Sequence, residues 1–189
     1  WVNLVTDSLP GLALGVDSGH TGIMKEPPRN PKESLFARGG LALTVFYGFV
    51  IGLTTLAAFL YVPYAHITAA GLELTYEAIR SALAQPELYI IAQTYAFTTL
   101  ALSQLFHANG MRNVDRSIFR YNHFENRTMV LAFVLGFLLQ FCVSEIQFFN
   151  QVFGIVELSA QEWLGLTLLS TSPLLFHELR VFWRIVIKK

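Results

Sequence analysis

Charge is scarce in this chain. Only 14% of its 189 residues are Asp, Glu, Lys or Arg, and thirteen bases balance thirteen acids. With no basic excess there is no electrostatic footprint for nucleic acid, and no such partner is expected. Cysteine is nearly absent: the lone Cys142 excludes an internal disulfide and any cysteine-based metal motif, and its apolar surroundings mark an inert thiol. His20, His66, His107, His123 and His177 show no paired metal-ligand spacing. No signal peptide is present, and the chain opens on Trp1 rather than Met, so it reads as the back part of something longer.

What fills the space is hydrocarbon. Hydrophobic residues make up 53% of the chain, with 16 Phe, too apolar for an ordinary soluble domain. Four long apolar segments, 36–62, 88–110, 128–150 and 163–187, each reach the ~20 residues needed to cross a bilayer. Residues 1–16 are also apolar and helical in pattern, but at ~1.5 Å per residue they cover only ~24 Å, so half of this helix is expected upstream. The fold class is all-α: a polytopic membrane bundle of one partial and four full transmembrane helices. The outside loop 63–86 is expected to hold a short amphipathic helix around Leu72–Leu83.

The connections alternate in charge. Twelve of the thirteen bases fall in 17–35, in 111–127, at Arg38 or at the C-terminal end; Arg80 is the exception. By the positive-inside rule those segments, and the C-terminus, are cytosolic. The sequon Asn126-Arg127-Thr128 then lies on the wrong side for glycosylation. The loop 17–35 places Pro27, Pro28 and Pro31 within five positions, a stiff segment suited to support a cytosolic domain.

Polar residues inside these spans are functional candidates by default. Asn3, Thr6, Asp7 and Pro10 share one helix face, at offsets of three, four and seven. An amide, a hydroxyl and a carboxylate are hard oxygen ligands suited to Ca²⁺, Mg²⁺ or Mn²⁺. Pro10 has no N–H for the carbonyl of Thr6, which loosens the turn beside Asp7. Asp7 and Gln104 each lie about eight residues, ~12 Å, from the basic edge, so they share a depth. Gln104 is then either a second ligand or an interhelical hydrogen-bonding group, with Ser103 and His107 as its neighbours. Other features read as scaffold. Gly48 and Gly52 form a G-x-x-x-G pair for close packing. Glu178 is expected in an ion pair near Arg180 and Arg184, Glu145 near the outer headgroups, and Tyr61, Tyr64, Tyr89 and Trp163 in an aromatic belt.

The residues also resemble a family. Trp1–Gly15 looks like the sixth transmembrane helix of type II P-type cation-transporting ATPases, and Ile23–Phe36 (Ile-Met-Lys-Glu-Pro-Pro-Arg-Asn-Pro-Lys-Glu-Ser-Leu-Phe) resembles their loop between helices six and seven. Gln104-Leu105-Phe106-His107-Ala108-Asn109 is similar to the end of their eighth helix in bacterial calcium-type pumps. Pro173 and Glu178 suit the tenth. The resemblance implies a C-terminal membrane domain over 1–189: partial helix six (1–16), cytosolic loop (17–35), helix seven (36–62), outside loop (63–86), helix eight (88–110), cytosolic loop (111–127), helix nine (128–150) and helix ten (163–187). It implies that Asn3 and Asp7 coordinate the cation, that Thr6 supplies a hydroxyl or carbonyl, and that Gln104 joins from helix eight. Ca²⁺ is the implied cargo, with Mn²⁺ and Na⁺ left open; Gly22 and Glu26 depart from the usual loop pattern. ATP and Mg²⁺ would act only in a parent protein, a translocase of the cell membrane. Its helices one to five and cytosolic domains would be this chain's partners beside the lipid bilayer. The chain contains no Asp-Lys-Thr-Gly-Thr phosphorylation motif, so alone it is expected to be inactive. The alternative is a non-catalytic helical scaffold or regulatory membrane protein.

Overall fold

The computed structural model describes residues 1–2, 6–17, 28, 30, 32–34, 36–37, 39–120 and 122–187. Asn3, most of the 17–35 loop with Pro27 and Pro31, Arg38, and the terminal lysines Lys188 and Lys189 lie outside them. The described residues form helices and no strand. In chain order these are α1 (Ser8–Gly15), α2 (Gly40–Ala69), α3 (Tyr76–Leu83), α4 (Pro86–Met111), α5 (Arg127–Glu145), α6 (Gln147–Phe153), α7 (Ala160–Ser170) and α8 (Ser172–Ile187).

Two helices, α2 and α5, are individually long and apolar enough to cross a membrane. α4 is as long as a span needs, at 26 residues, but part of its surface is polar. Thr94, Thr98, Thr99 and Ser103 are all fully buried. This buried side makes α4 the hub: α1, α2, α3, α5, α7 and α8 all pack on it. Small side chains allow the close approach that membrane helices rely on, where lipid is as apolar as the core.

Several boundaries depart from expectation. α2 does not stop at 62 but runs through the buried Pro63 to Ala69. Proline removes one backbone bond, and a membrane helix survives it when neighbours cover the gap. The expected helix nine breaks at Ile146, and α6 follows as a separate piece closed by Gly154 at φ 63°. The last span is two helices end to end. Pro173 cannot donate to the carbonyl of Leu169, so the ladder restarts with Leu174 N and Leu175 N donating to Thr171 O, at 3.0 and 3.1 Å. Polar groups brace this break: the Ser170 hydroxyl donates to Thr99 O (3.3 Å), and Ser172 Oγ lies 2.7 Å from Thr54 Oγ1. The short amphipathic helix appears as α3, N-capped by Thr75, which accepts from Ala78 N.

The glycines are used differently from expectation. A Cβ on Gly48 or Gly52 would meet nothing within 4 Å, so the G-x-x-x-G pair packs against no described neighbour. α2 instead turns Tyr47, Val50, Thr54, Ala58 and Val62 inward, at helical spacing. The close approach occurs at Gly136 of α5, where a Cβ would lie 2.7 Å from Leu105 Cδ2. Glu178 also differs. Among the described residues no ion pair joins it to Arg180 or Arg184. It accepts from Ile118 N at 2.8 Å, Arg180 donates to Val114 O, and Arg184 pairs with Asp115. All three fasten α8 to the connection between α4 and α5.

Candidate functional site

The site grows from the irregular start of α1. Asp7 N donates to Val2 O at 3.2 Å, five residues back, and Gly11 N donates to Asp7 O at 2.9 Å. The chain is therefore wider than an α-helix just before Asp7, a feature that recurs at functional positions. Pro10, buried, has no N–H to offer Thr6 O. Asp7 occupies the N-cap position of α1, yet its side chain makes no capping bond. The carboxylate is exposed and available.

Thr6 is 1% exposed. Its hydroxyl is shared between Val2 O at 2.7 Å and Gln104 Oε1 at 2.8 Å. The contact puts the loosened turn of α1 at the level of Gln104 on α4. Beside it opens a cleft of about 230 Å³ lined by Thr6, Asp7, Pro10, Gln104, His107 and Met111, among others. Three of the four expected ligand residues thus meet around one hollow. The fourth, Asn3, lies outside the described residues. Ser103 is fully buried with its hydroxyl unpartnered, away from the cleft lining. His107 does line it, and its ring centroid is 4.4 Å from that of Tyr47.

The cleft's acid is a single carboxylate. Among the described residues no three His, Cys, Asp or Glu side chains gather as a metal cluster. The oxygens at hand are one carboxylate, one hydroxyl and one amide. That set suits a hard cation, but falls short of the six to eight oxygens Ca²⁺ takes.

Four side-chain links hold this part of the chain in place. Trp1 Nε1 donates to Gln140 Oε1 at 3.1 Å, Thr6 meets Gln104, and Asn126 Nδ2 donates to Ala13 O at 2.9 Å. Arg112 grips the Asp17 carboxylate with two bonds, of 2.7 and 3.1 Å. Asn126 also caps α5 by accepting from Met129 N, and it is 5% exposed, so the sequon asparagine is structural. Gln140, fully buried on α5, was not among the expected site residues, although an amide within the apolar run 128–150 was a visible signal. Glu145 is engaged too, accepting from Trp163 Nε1 at 2.6 Å.

Comparison with known proteins agrees with this architecture. The family described as "Cation transporting ATPase, C-terminus" matches residues 1–183. The chain is 39% identical over 180 residues to calcium-transporting ATPase 1 of Bacillus cereus, covering 95% of this chain and 20% of that protein. It is 35% identical to the calcium-transporting ATPase of Bacillus subtilis, covering 92% of this chain and 17% of that one. It is 28% identical to the endoplasmic reticulum-type calcium-transporting ATPase 4 of Arabidopsis thaliana, covering 96% and 20%. The chain spans about a fifth of the length of these relatives.

Proposed function

The chain belongs to the family of cation-transporting ATPase C-termini, and from that premise we propose that it is the membrane part of an ATP-driven pump that carries Ca²⁺. In this reading Asp7, Thr6, Gln104 and Asn3 supply part of a cation site in the middle of the bilayer. The observation that carries it is the 2.8 Å contact between Thr6 and Gln104, with the Asp7 carboxylate in the same cleft. An interhelical hydrogen bond by itself serves a scaffold as well; what favours a cation is the Asp7 carboxylate, without a capping bond, in the same cleft.

Each residue then has a role. Asp7 contributes the only formal charge, so it offsets most of the dehydration cost of the ion. The hydroxyl and amide oxygens of Thr6 and Gln104 replace water at no charge cost. Backbone carbonyls of the loosened turn, such as that of Thr6, and segments of the intact protein outside this chain would supply the remaining oxygens. ATP hydrolysis belongs to those same segments, through a phosphorylated aspartate. The ends of α1, α4 and α8 lead into the basic side chains, so we place them at the cytosolic face of a bacterial-type cell membrane, together with the C-terminus.

The test is Ca²⁺-dependent phosphoenzyme formation by the intact protein that carries this chain. Asp7→Asn should weaken apparent Ca²⁺ affinity roughly 30-fold or more, the worth of a charge-assisted contact of ~2 kcal/mol. Unchanged affinity in a folded Asp7→Asn protein would remove the site from Asp7.

A further inference from the structure

Near the other end of α4, between α2 and α7, runs a groove of about 520 Å³, more than twice the cleft beside Asp7. Ala57 of α2 and Gly165 and Leu169 of α7 line its apolar length. Tyr61, Tyr95 and Glu162 line its other end. From Glu162 to Leu169 the groove follows α7 for seven residues, ~10 Å along the membrane normal if α7 is upright. Leu56, Leu60, Leu164 and Leu168 around it are exposed, the composition of a lipid-facing surface. An apolar groove in a membrane does not hold water, and leaving it empty would forfeit dispersion contacts along its whole length.

The end at Glu162 is chemically specific. Tyr95 OH donates to Glu162 Oε1 at 2.5 Å, and Ser159 N donates to Oε2 at 2.7 Å. These bonds fix the carboxylate while leaving each oxygen a free lone pair. Among the described residues no cation pairs with Glu162. The Tyr61 ring lies nearly parallel to that of Tyr95, with centroids 6.4 Å apart, and this exposed residue lines the groove together with the acid. A fixed carboxylate next to aromatic faces recognises an ammonium group. The open lone pairs call for N–H donors, which a primary ammonium has and a quaternary one lacks.

We propose that the α2–α7 groove is a binding site for a phospholipid with a primary-ammonium headgroup, phosphatidylethanolamine in chemical class. The ammonium sits on Glu162 and against Tyr61, and one acyl chain lies along Ala57, Gly165 and Leu169. This rests on the chain spanning a membrane and on the groove facing lipid in the intact protein; it does not depend on the cation site.

The intact protein, reconstituted in nanodiscs of equal parts phosphatidylethanolamine, phosphatidylcholine and phosphatidylglycerol, is released into detergent and its retained lipids are counted by native mass spectrometry. The wild type should keep one phosphatidylethanolamine in preference to the other two. Glu162→Gln should weaken that retention about tenfold, the worth of one charge-assisted contact. Gly165→Leu should abolish it by filling the groove. A Cβ at 165 meets no atom within 4 Å, so this variant is expected to fold, as an unchanged circular dichroism spectrum would show. Equal retention of the three lipids, or full phosphatidylethanolamine retention by folded Gly165→Leu, overturns the proposal. So does a photo-crosslinker at position 165 that captures a protein helix instead of lipid.

Discussion

Early in α4, Ala92 and Tyr95 pack with Ala58, Val62, Leu158 and Leu166 into an apolar cluster, with Phe59, Ile91 and Trp163 against it. Further along the same helix, Gln104 meets a single hydroxyl, Thr6, and the space beside them stays open as a cleft. The first region is held by apolar packing, through small residues that let large ones interdigitate, and the α2–α7 groove runs along its surface. The second is held by a few polar links, Thr6 to Gln104 and Arg112 to Asp17. Dispersion packing has one best arrangement. A handful of hydrogen bonds beside a hollow leaves space unfilled. The contrast separates a half of the helix held by packing from a half held by hydrogen bonds.

Mutations should expose that difference. The largest effect in this set is expected from Leu102→Ala. Leu102 is fully buried, and its removal should cost about 2 kcal/mol in thermal unfolding. That is the low end for such changes, because lipid is as apolar as the core and only packing is lost. Gly136→Ala should cost about 1 kcal/mol. The new Cβ would lie 2.7 Å from Leu105 Cδ2 and force that buried side chain aside, against a gain in helix propensity. Both should act on stability and leave the ion response in place. Gln104→Ala should do the reverse, weakening apparent Ca²⁺ affinity roughly fivefold with little change in melting. It removes a neutral ligand worth ~1 kcal/mol, and a loss as large as that of Asp7→Asn would contradict a site in which the carboxylate dominates. Smallest is Gly48→Ala, which meets open space and should raise stability by about 0.5 kcal/mol through helix propensity alone. Opposite signs at Gly136 and Gly48 would show that contact, not the G-x-x-x-G pattern, sets a glycine's worth.

The candidate site was legible where chemistry is local. Thr6, Asp7 and Pro10 stand within five residues on an apolar helix, and a depth count from the basic edge matched Asp7 to Gln104. Other features were hidden because they depend on neighbours. The span bounded at 62 continues through Pro63 to Ala69, while the last span, continuous in the sequence, breaks before Pro173. Whether a proline breaks a helix depends on what covers the freed carbonyl, which no local pattern records. Glu178 has arginines within reach along its own helix, but the backbone N–H of Ile118 is its partner.

Composition and period by themselves determined the class: a net-neutral, Phe-rich chain of apolar segments can only hide its backbone as membrane helices, and its hard-oxygen stripe can only serve a hard cation or a structural bond. Tertiary structure alone decided which glycine is a contact, where the last span breaks, and that Thr6 rather than Asp7 touches Gln104. The reason is physical. Hydrophobic periodicity records how much surface each helix must cover, whereas dispersion contacts and hydrogen bonds, effective over a few ångströms, are settled only when particular helices meet.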